Sequence, residues 1–315
     1  MAKFKVAGAS VTPEPIVLKS SRLSLVAEPA RGGRITSVRH LPSAKEILWQ
    51  QARHDDWPRY GIPESEADLQ GWDECCPAIG PGAFPQGPWE SVHNPAQGEV
   101  YALPWQVHDS AARRVTMSVH GVRFPYKLVR TIELTDDETI RLDYRITNHS
   151  ALPLPFIWSA HPMLAAPAGG RIELPEGCRA AIVDSSDGGR LGAAYDRVLW
   201  PEARSSAGAL ARLDDVRPGS GTADKLYITD VPTGQCCFVR HDGPRINLTW
   251  DPVQIPYLGI WVDTRFAGSP QVALEPCLGY PDLMVEAARW GRHAVLPAFG
   301  ERSWSYSMTI SEPDK

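Results

Sequence analysis

Apolar and polar residues alternate with a period of two along much of this chain. From Thr139 to Thr147, Ile140, Leu142, Tyr144 and Ile146 fall on one face, and Arg141, Asp143 and Arg145 fall on the other. That is the pattern of an antiparallel strand with one face buried and the other in water. Near the end, Trp304, Tyr306, Met308 and Ile310 alternate with Ser, Ser and Thr. Shorter runs at 23–28, 34–39, 115–120, 127–134, 225–230, 236–240, 245–250, 257–262 and 271–275 predict further strands. Turn signals such as Asp136-Asp137, Pro232-Thr233-Gly234 and Asp242-Gly243-Pro244 separate several of them. Helical signal is scarce. One candidate follows Pro281, with Asp282 as its cap and Leu283, Val285, Ala287 and Ala288 leading to Gly291. The pattern predicts an all-β protein of the sandwich class with about 15 or more strands, and no βαβ architecture. Residues 50–98, dense in Pro, Gly and Trp, read as a long loop region packed over one sheet face, and loops of that length carry function. No linker, repeat or composition shift divides the chain, so residues 1–315 read as one domain.

Charge narrows the function classes. Against 37 Asp and Glu stand 32 Lys and Arg, a net charge of −5, whereas a nucleic-acid binder leans basic. No run of about 18 apolar residues is present, which argues against a membrane span. The first residues, MAKFKVAGASVTPEP, lack the apolar core of a secretory signal, and a cytoplasmic address is expected. The six cysteines include two adjacent pairs, Cys75-Cys76 and Cys236-Cys237. Neighbours on a strand point to opposite faces and make poor common ligands, so buried thiols are expected rather than a metal site or disulfides. The 11 tryptophans outnumber both Phe and Tyr. Core filling explains them, while their faces also suit the C–H faces of a sugar ring.

A nucleophile elbow, a P-loop and a GxGxxG turn are all missing, so no cofactor is implied. What remains is a set of single polar residues in apolar or turn-forming surroundings. His161, in Phe156-Ile-Trp-Ser-Ala-His-Pro162, sits where a strand runs out. It is either a core histidine satisfied by a carbonyl or a general acid, because an ordinary imidazole titrates near pH 6.5. Glu275 ends an apolar strand and precedes Pro276. It is either half of a buried ion pair with an arginine or a general base. Asp73 and Glu74 are adjacent and, if extended, point opposite ways, so they form no carboxylate couple; either one faces a ligand hydroxyl while the other braces a loop, or they serve as turn residues.

These segments together resemble the aldose 1-epimerase (galactose mutarotase-like) superfamily, in particular its less characterised bacterial members. The resemblance runs through Gly32-Gly-Arg-Ile-Thr-Ser37, Gly71-Trp-Asp-Glu-Cys75, Gly98-Glu-Val-Tyr-Ala-Leu-Pro-Trp105, Ser159-Ala-His-Pro162, Gly259-Ile-Trp-Val262 and Ala273-Leu-Glu-Pro-Cys-Leu-Gly-Tyr-Pro-Asp282. It implies a β-supersandwich of large antiparallel sheets with a concave sugar cleft. By that analogy, His161 is the general acid and Glu275 the general base for interconverting the α and β anomers of a hexose, without cofactor or metal. Arg34, Asp73, Gln97, Lys225 and Trp261 are the expected sugar contacts. Arg34 and Lys225 also read as surface charges or loop anchors, and Trp261 as core. The family's second histidine, in a His-Gly motif, is replaced here by Gln97-Gly98, with His93 four residues earlier. Gln97 can exchange hydrogen bonds with a hydroxyl but cannot carry a proton. The expected partner is a small sugar, free or phosphorylated, with Arg34, Arg59 and Lys225 as possible phosphate donors. The competing reading is a carbohydrate-binding or regulatory protein that keeps the cleft without catalysis.

Overall fold

Alternation in sequence becomes alternation in burial. A computed structural model describes residues 14–50, 59–63, 66, 69–85, 87–265 and 270–312; the N-terminal segment read above for a signal lies mostly outside them. Thr139–Asn148 buries Ile140, Leu142, Tyr144 and Ile146, and Glu301–Ser311 buries Trp304, Tyr306, Met308 and Ile310. These two strands pair with each other at the centre of a nine-stranded sheet. Its order is Asp215–Val216, Gly170–Glu173, Gln235–Arg240, Arg245–Trp250, Glu301–Ser311, Thr139–Asn148, Tyr126–Leu134, Arg114–His120 and Gln106–Ala111.

The second sheet has eleven strands. Its path runs Ile16–Lys19, Leu23–Glu28, Arg34–His40, Trp72–Cys75, Ser159–Ala165, Gln271–Cys277, Tyr257–Asp263, Ala223–Ile228, Ala180–Ser186 and Arg197–Leu199, with Lys45–Glu46 beside Arg34–His40. Pairing within both sheets is antiparallel. The architecture is therefore all-β, as the alternation predicted, with the large antiparallel sheets that the resemblance implied. The sheets meet through a layer of aromatic rings. Tyr144 stacks on Trp304 at 5.4 Å between centroids and meets Trp158, which leads into Ser159–Ala165 of the other sheet, at 4.8 Å, while Trp72 packs on Tyr306 at 6.0 Å. All six cysteines are buried free thiols.

Three expectations are corrected. Residues 50–98 are not one loop: Trp72–Cys75 is a fully buried strand between Arg34–His40 and Ser159–Ala165. His161 and Glu275 do not end their strands but lie inside Ser159–Ala165 and Gln271–Cys277. Both strands are covered on both faces, so they read as apolar runs whose limits periodicity cannot mark. The helix is short, Met284–Arg289, with Leu283 and not Asp282 at its cap. The Asp282 carboxylate is engaged elsewhere, as described below.

Candidate active site

Strand register assembles the site. Trp72 and Glu74 point toward the nine-stranded sheet, where Glu74 meets Arg130 and Tyr144, and Glu74 also accepts from Trp158, just before Ser159–Ala165. Asp73, between them, points the other way. Asp73 pairs with His161 across the neighbouring strand. The pairing of Ser159 with Cys277 and of Met163 with Ala273 sets His161 opposite Glu275. Glu275 in turn faces Gly259, and Gly259 faces Tyr227. Five neighbouring strands thus contribute one row, Asp73–His161–Glu275–Gly259–Tyr227, on the face turned away from the sandwich interior.

The row is flanked by apolar clusters. On one side lie Trp49, Met163 and Ala273 with the half-buried Trp261; on the other are Tyr227, Cys277 and Tyr280 with Tyr257 and Trp290. An apolar rim around a few convergent polar groups is the usual make-up of a small-molecule site. Two surface clefts of about 230 and 560 Å³ lie away from it, among residues such as Cys237 and Arg245 and residues such as Arg171 and Trp200, and share no member of the row.

Every candidate chosen from sequence can now be placed. His161 Nε2 lies 3.9 Å from Glu275 Oε1. His161 is 6% exposed and Glu275 fully buried. Among the described residues neither Glu275 Oε1 nor His161 Nδ1 has a hydrogen-bond partner. Arg34 is not a surface charge: it is buried and its Nε donates to Asp73 Oδ1 at 2.8 Å. Lys225 is buried too, with Nζ donating to Glu275 Oε2, so the partner of Glu275 is this lysine and not an arginine. Gln97 is buried, and its Oε1 accepts the Cys75 thiol at 2.9 Å, two residues along the strand from Asp73. Trp261 pairs directly across from Lys225. His93 is exposed on the short strand His93–Asn94, and Arg59 is exposed and faces Glu66 at 3.7 Å. Neither joins the row.

Four further residues belong to the site. The Tyr227 hydroxyl donates to Asp282 Oδ1, the Asp282 backbone N–H donates to Asp184 Oδ1 at 3.1 Å, and the Ser159 hydroxyl donates to Glu275 Oε2 at 3.4 Å. Asp282 was in view in the sequence but read as a helix cap. Asp184 lies on Ala180–Ser186, a strand whose bulge beside Ala223–Ile228 disrupts its alternation.

Burial sets the charges. It pushes the His161 imidazole down to about 3, helped by the Lys225 ammonium and Arg34 and opposed by Asp282. Burial also pushes the Asp184 carboxyl up to about 7, with the neighbouring Asp282 carboxylate adding to it. Asp282 is raised by burial, though Lys225 opposes the shift. For Lys225, burial favours the neutral amine, but Glu275, Asp282 and Asp184 together outweigh it and hold the ammonium. The site therefore combines a desolvated imidazole, the Lys225 ammonium held against Glu275, and two carboxyl groups, Asp184 and Asp282, both pushed upward by burial.

No family model and no curated protein matches the chain. Solved structures do. A Synechocystis sp. PCC 6803 protein, Slr1438, superposes with a TM-score of 0.71 at 19% identity, over 99% of this chain and 100% of that one. A candidate aldose 1-epimerase from Escherichia coli K12 gives 0.69 at 15% identity, covering 95% and 99%. A galactose mutarotase related enzyme from Lactobacillus acidophilus gives 0.67 at 14%, covering 94% and 97%. This is the galactose mutarotase-like fold. In the chain described here, that fold carries the row of polar side chains across the middle of its larger sheet.

Proposed function

We propose that the chain is a mutarotase-like isomerase that interconverts the anomers of a free hexose, with Glu275 as base and His161 as acid. The observation that carries this reading is the 3.9 Å approach of His161 Nε2 to Glu275 Oε1, two buried groups with unpartnered atoms set among apolar rims. The ring oxygen and the anomeric hydroxyl of a pyranose share one carbon. Two groups a few ångströms apart can therefore address one oxygen each. Glu275 Oε1 takes the proton of the anomeric hydroxyl while His161 Nε2 delivers one to the ring oxygen. The bond from C1 to the ring oxygen breaks, an aldehyde forms at C1, and rotation followed by the reverse transfers closes the other anomer. Each transfer is worth about 10²–10⁴-fold.

The charge balance favours a neutral sugar over a phosphorylated one. The two cations beside the row already face carboxylates, Arg34 on Asp73 and Lys225 on Glu275. A phosphate needs convergent, unengaged cations. Anomer exchange followed by NMR on fresh α-glucose, α-galactose and glucose 6-phosphate tests both points. We expect acceleration with a free hexose and a kcat/KM at least about tenfold lower with the phosphate, since like charges across a contact are costly. No acceleration with any of them would sink the reading.

The depressed histidine shapes the pH dependence. A group whose pKa is lowered in the fold loses its proton at lower pH than usual, so His161 is neutral from about pH 3 upward, whereas an ordinary imidazole becomes neutral only above 6.5. The imidazolium fraction then falls about tenfold for each pH unit between 5 and 8, and kcat/KM, which reports the free enzyme, is expected to fall with it. A plateau ending near pH 6.5 would show that the imidazole is not desolvated as described. The neutral imidazole is also the observation that favours the second reading, a sugar-binding protein without catalysis. Calorimetric binding of a hexose with no anomer exchange would establish that reading instead.

A further inference from the structure

We propose that Lys225, reaching over Gly259, is the positioning residue that fixes Glu275, holding one carboxylate oxygen so that the other is free to react. The proposal rests on Glu275 being the base of the reaction above, and it replaces the expectation that Lys225 contacts the sugar.

Strand order makes the contact unusual. Lys225 and Glu275 lie on strands that are not neighbours; Tyr257–Asp263 runs between them. Lys225 sits opposite Trp261, one row away from Glu275, so its ammonium must cross the middle strand on a diagonal. The crossing point is Gly259. A β-carbon there would lie 3.1 Å from Glu275 Oε2, 3.2 Å from Glu275 Cβ and 3.3 Å from a Tyr227 ring carbon. The Gly259 backbone is not left-handed, so it is space and not conformation that calls for glycine. Trp261, two residues on and on the same face, shows that this strand otherwise carries large side chains there.

The hydrogen bonds are lopsided. Lys225 Nζ donates to Oε2, with the Ser159 hydroxyl, shared with the Ala160 carbonyl at 3.2 Å, 3.4 Å from the same oxygen, and Oε1 is left without a partner, 3.9 Å from His161 Nε2. The ammonium on Oε2 anchors that oxygen and leaves the other to face His161. The lysine stem is itself held, with Nζ 5.4 Å from the centre of the Tyr227 ring. The groups facing the Glu275 carboxylate are Lys225, His161, Ser159, Cys75, Cys277, Tyr227, Asp282 and Asp184. Of these, Lys225 alone is a permanent cation, while Arg34 is turned to Asp73.

Three variants test the proposal: Lys225→Met, Lys225→Arg and Gly259→Ala. With the free hexose that the wild-type protein equilibrates, K225M is expected to lose about 100-fold in kcat while KM moves less than about threefold, the signature of a misplaced base. Without the ammonium, the acid limb of the kcat profile is expected to move up by about one pH unit or more. K225R keeps the charge and should keep the limb where it is. G259A, with an unchanged melting temperature, should lose about tenfold in kcat as its methyl displaces Oε2. A 13C-NMR titration of the Glu275 carboxyl carbon, assigned with E275Q, needs no substrate and should move in K225M in the same sense. A raised KM with unchanged kcat and limb would make Lys225 a sugar contact, and an unmoved carbon titration in K225M would also overturn the proposal. Absence of anomer exchange in the wild-type protein would remove the isomerase reading, but the carbon titration would still decide whether Lys225 governs Glu275.

Discussion

Glu275→Gln is expected to lower kcat for anomer exchange by about 10³-fold or more, the largest activity effect of any single substitution in this protein. The amide keeps the shape of the carboxylate and can still accept from Ser159, but it takes no proton from the anomeric hydroxyl. It also strands a charge. Lys225 is 5% exposed, and without Glu275 its ammonium is left with Asp282 and Asp184, whose carboxyl groups burial pushes toward the neutral form. Removing one partner of a buried pair costs about 3 kcal/mol or more, so the melting temperature should fall as well. The two effects separate when rate is expressed per folded molecule. His161→Asn should cost about 10²-fold and little stability, because a neutral imidazole leaves no charge behind. Combining the two should cost little more than E275Q alone, since residues that act as a unit are not additive. Should both single variants exchange anomers at the wild-type rate, the roles given to His161 and Glu275 are wrong.

How much of this could be read in advance differs between fold and site. The strands that border water on one face announced themselves: Thr139–Asn148, Glu301–Ser311, Leu23–Glu28 and Arg245–Trp250 lie where alternation put them. Of the strands that carry the row, the runs at 225–230, 257–262 and 271–275 were legible, whereas Trp72–Cys75 and the full extent of Ser159–Ala165 were not, because these two are buried on both faces and have lost the period of two. The opposed directions of Asp73 and Glu74 followed from adjacency alone, and the fold obeys it. Register did not follow from anything local. That His161 and Glu275, 114 residues apart, share one level of one sheet depends on pairings between distant segments, and a slip of one residue would turn either to the other face. Lys225 read as a sugar contact or a surface charge, and its engagement with Glu275 could not be read locally because Tyr257–Asp263 lies between their strands. Asp282 looked like a helix cap because Asp before an apolar run is the usual cap signal. Its carboxylate instead accepts the Tyr227 hydroxyl, from a strand more than fifty residues earlier.

The largest stability effect is expected on the other face of the same strand. Glu74 and Arg130 are both fully buried and bridge the two sheets, with Arg130 Nη1 donating to Glu74 Oε1 at 3.0 Å. The Tyr144 hydroxyl donates to the same oxygen at 2.7 Å, and Trp158 Nε1 donates to Oε2 at 2.8 Å. Arg130 also donates to the Gly33 carbonyl and lies over the Trp105 ring at 4.8 Å. Arg130→Met leaves a carboxylate in an apolar layer with neutral donors only, at an expected cost of about 3–5 kcal/mol near neutral pH. Burial already raises the Glu74 pKa, with Arg130 the chief opposing influence. A carboxyl with a raised folded pKa takes up its proton more readily in the fold than in the unfolded chain. Its charge therefore weakens the fold above the folded pKa, and the penalty is relieved as pH falls through that value. The deficit of R130M should shrink as pH is lowered toward 5, the reverse of ordinary acid sensitivity. Adding Glu74→Gln should recover much of the loss, because an uncharged side chain no longer needs the guanidinium. Urea unfolding of the two single variants and the double variant at pH 5 and pH 8 measures all of this. A loss below about 1 kcal/mol in R130M at pH 8 would mean that Glu74 is not held as an anion in the folded protein. Asp73 and Glu74 belong to opposite faces, so R130M should leave anomer exchange per folded molecule unchanged.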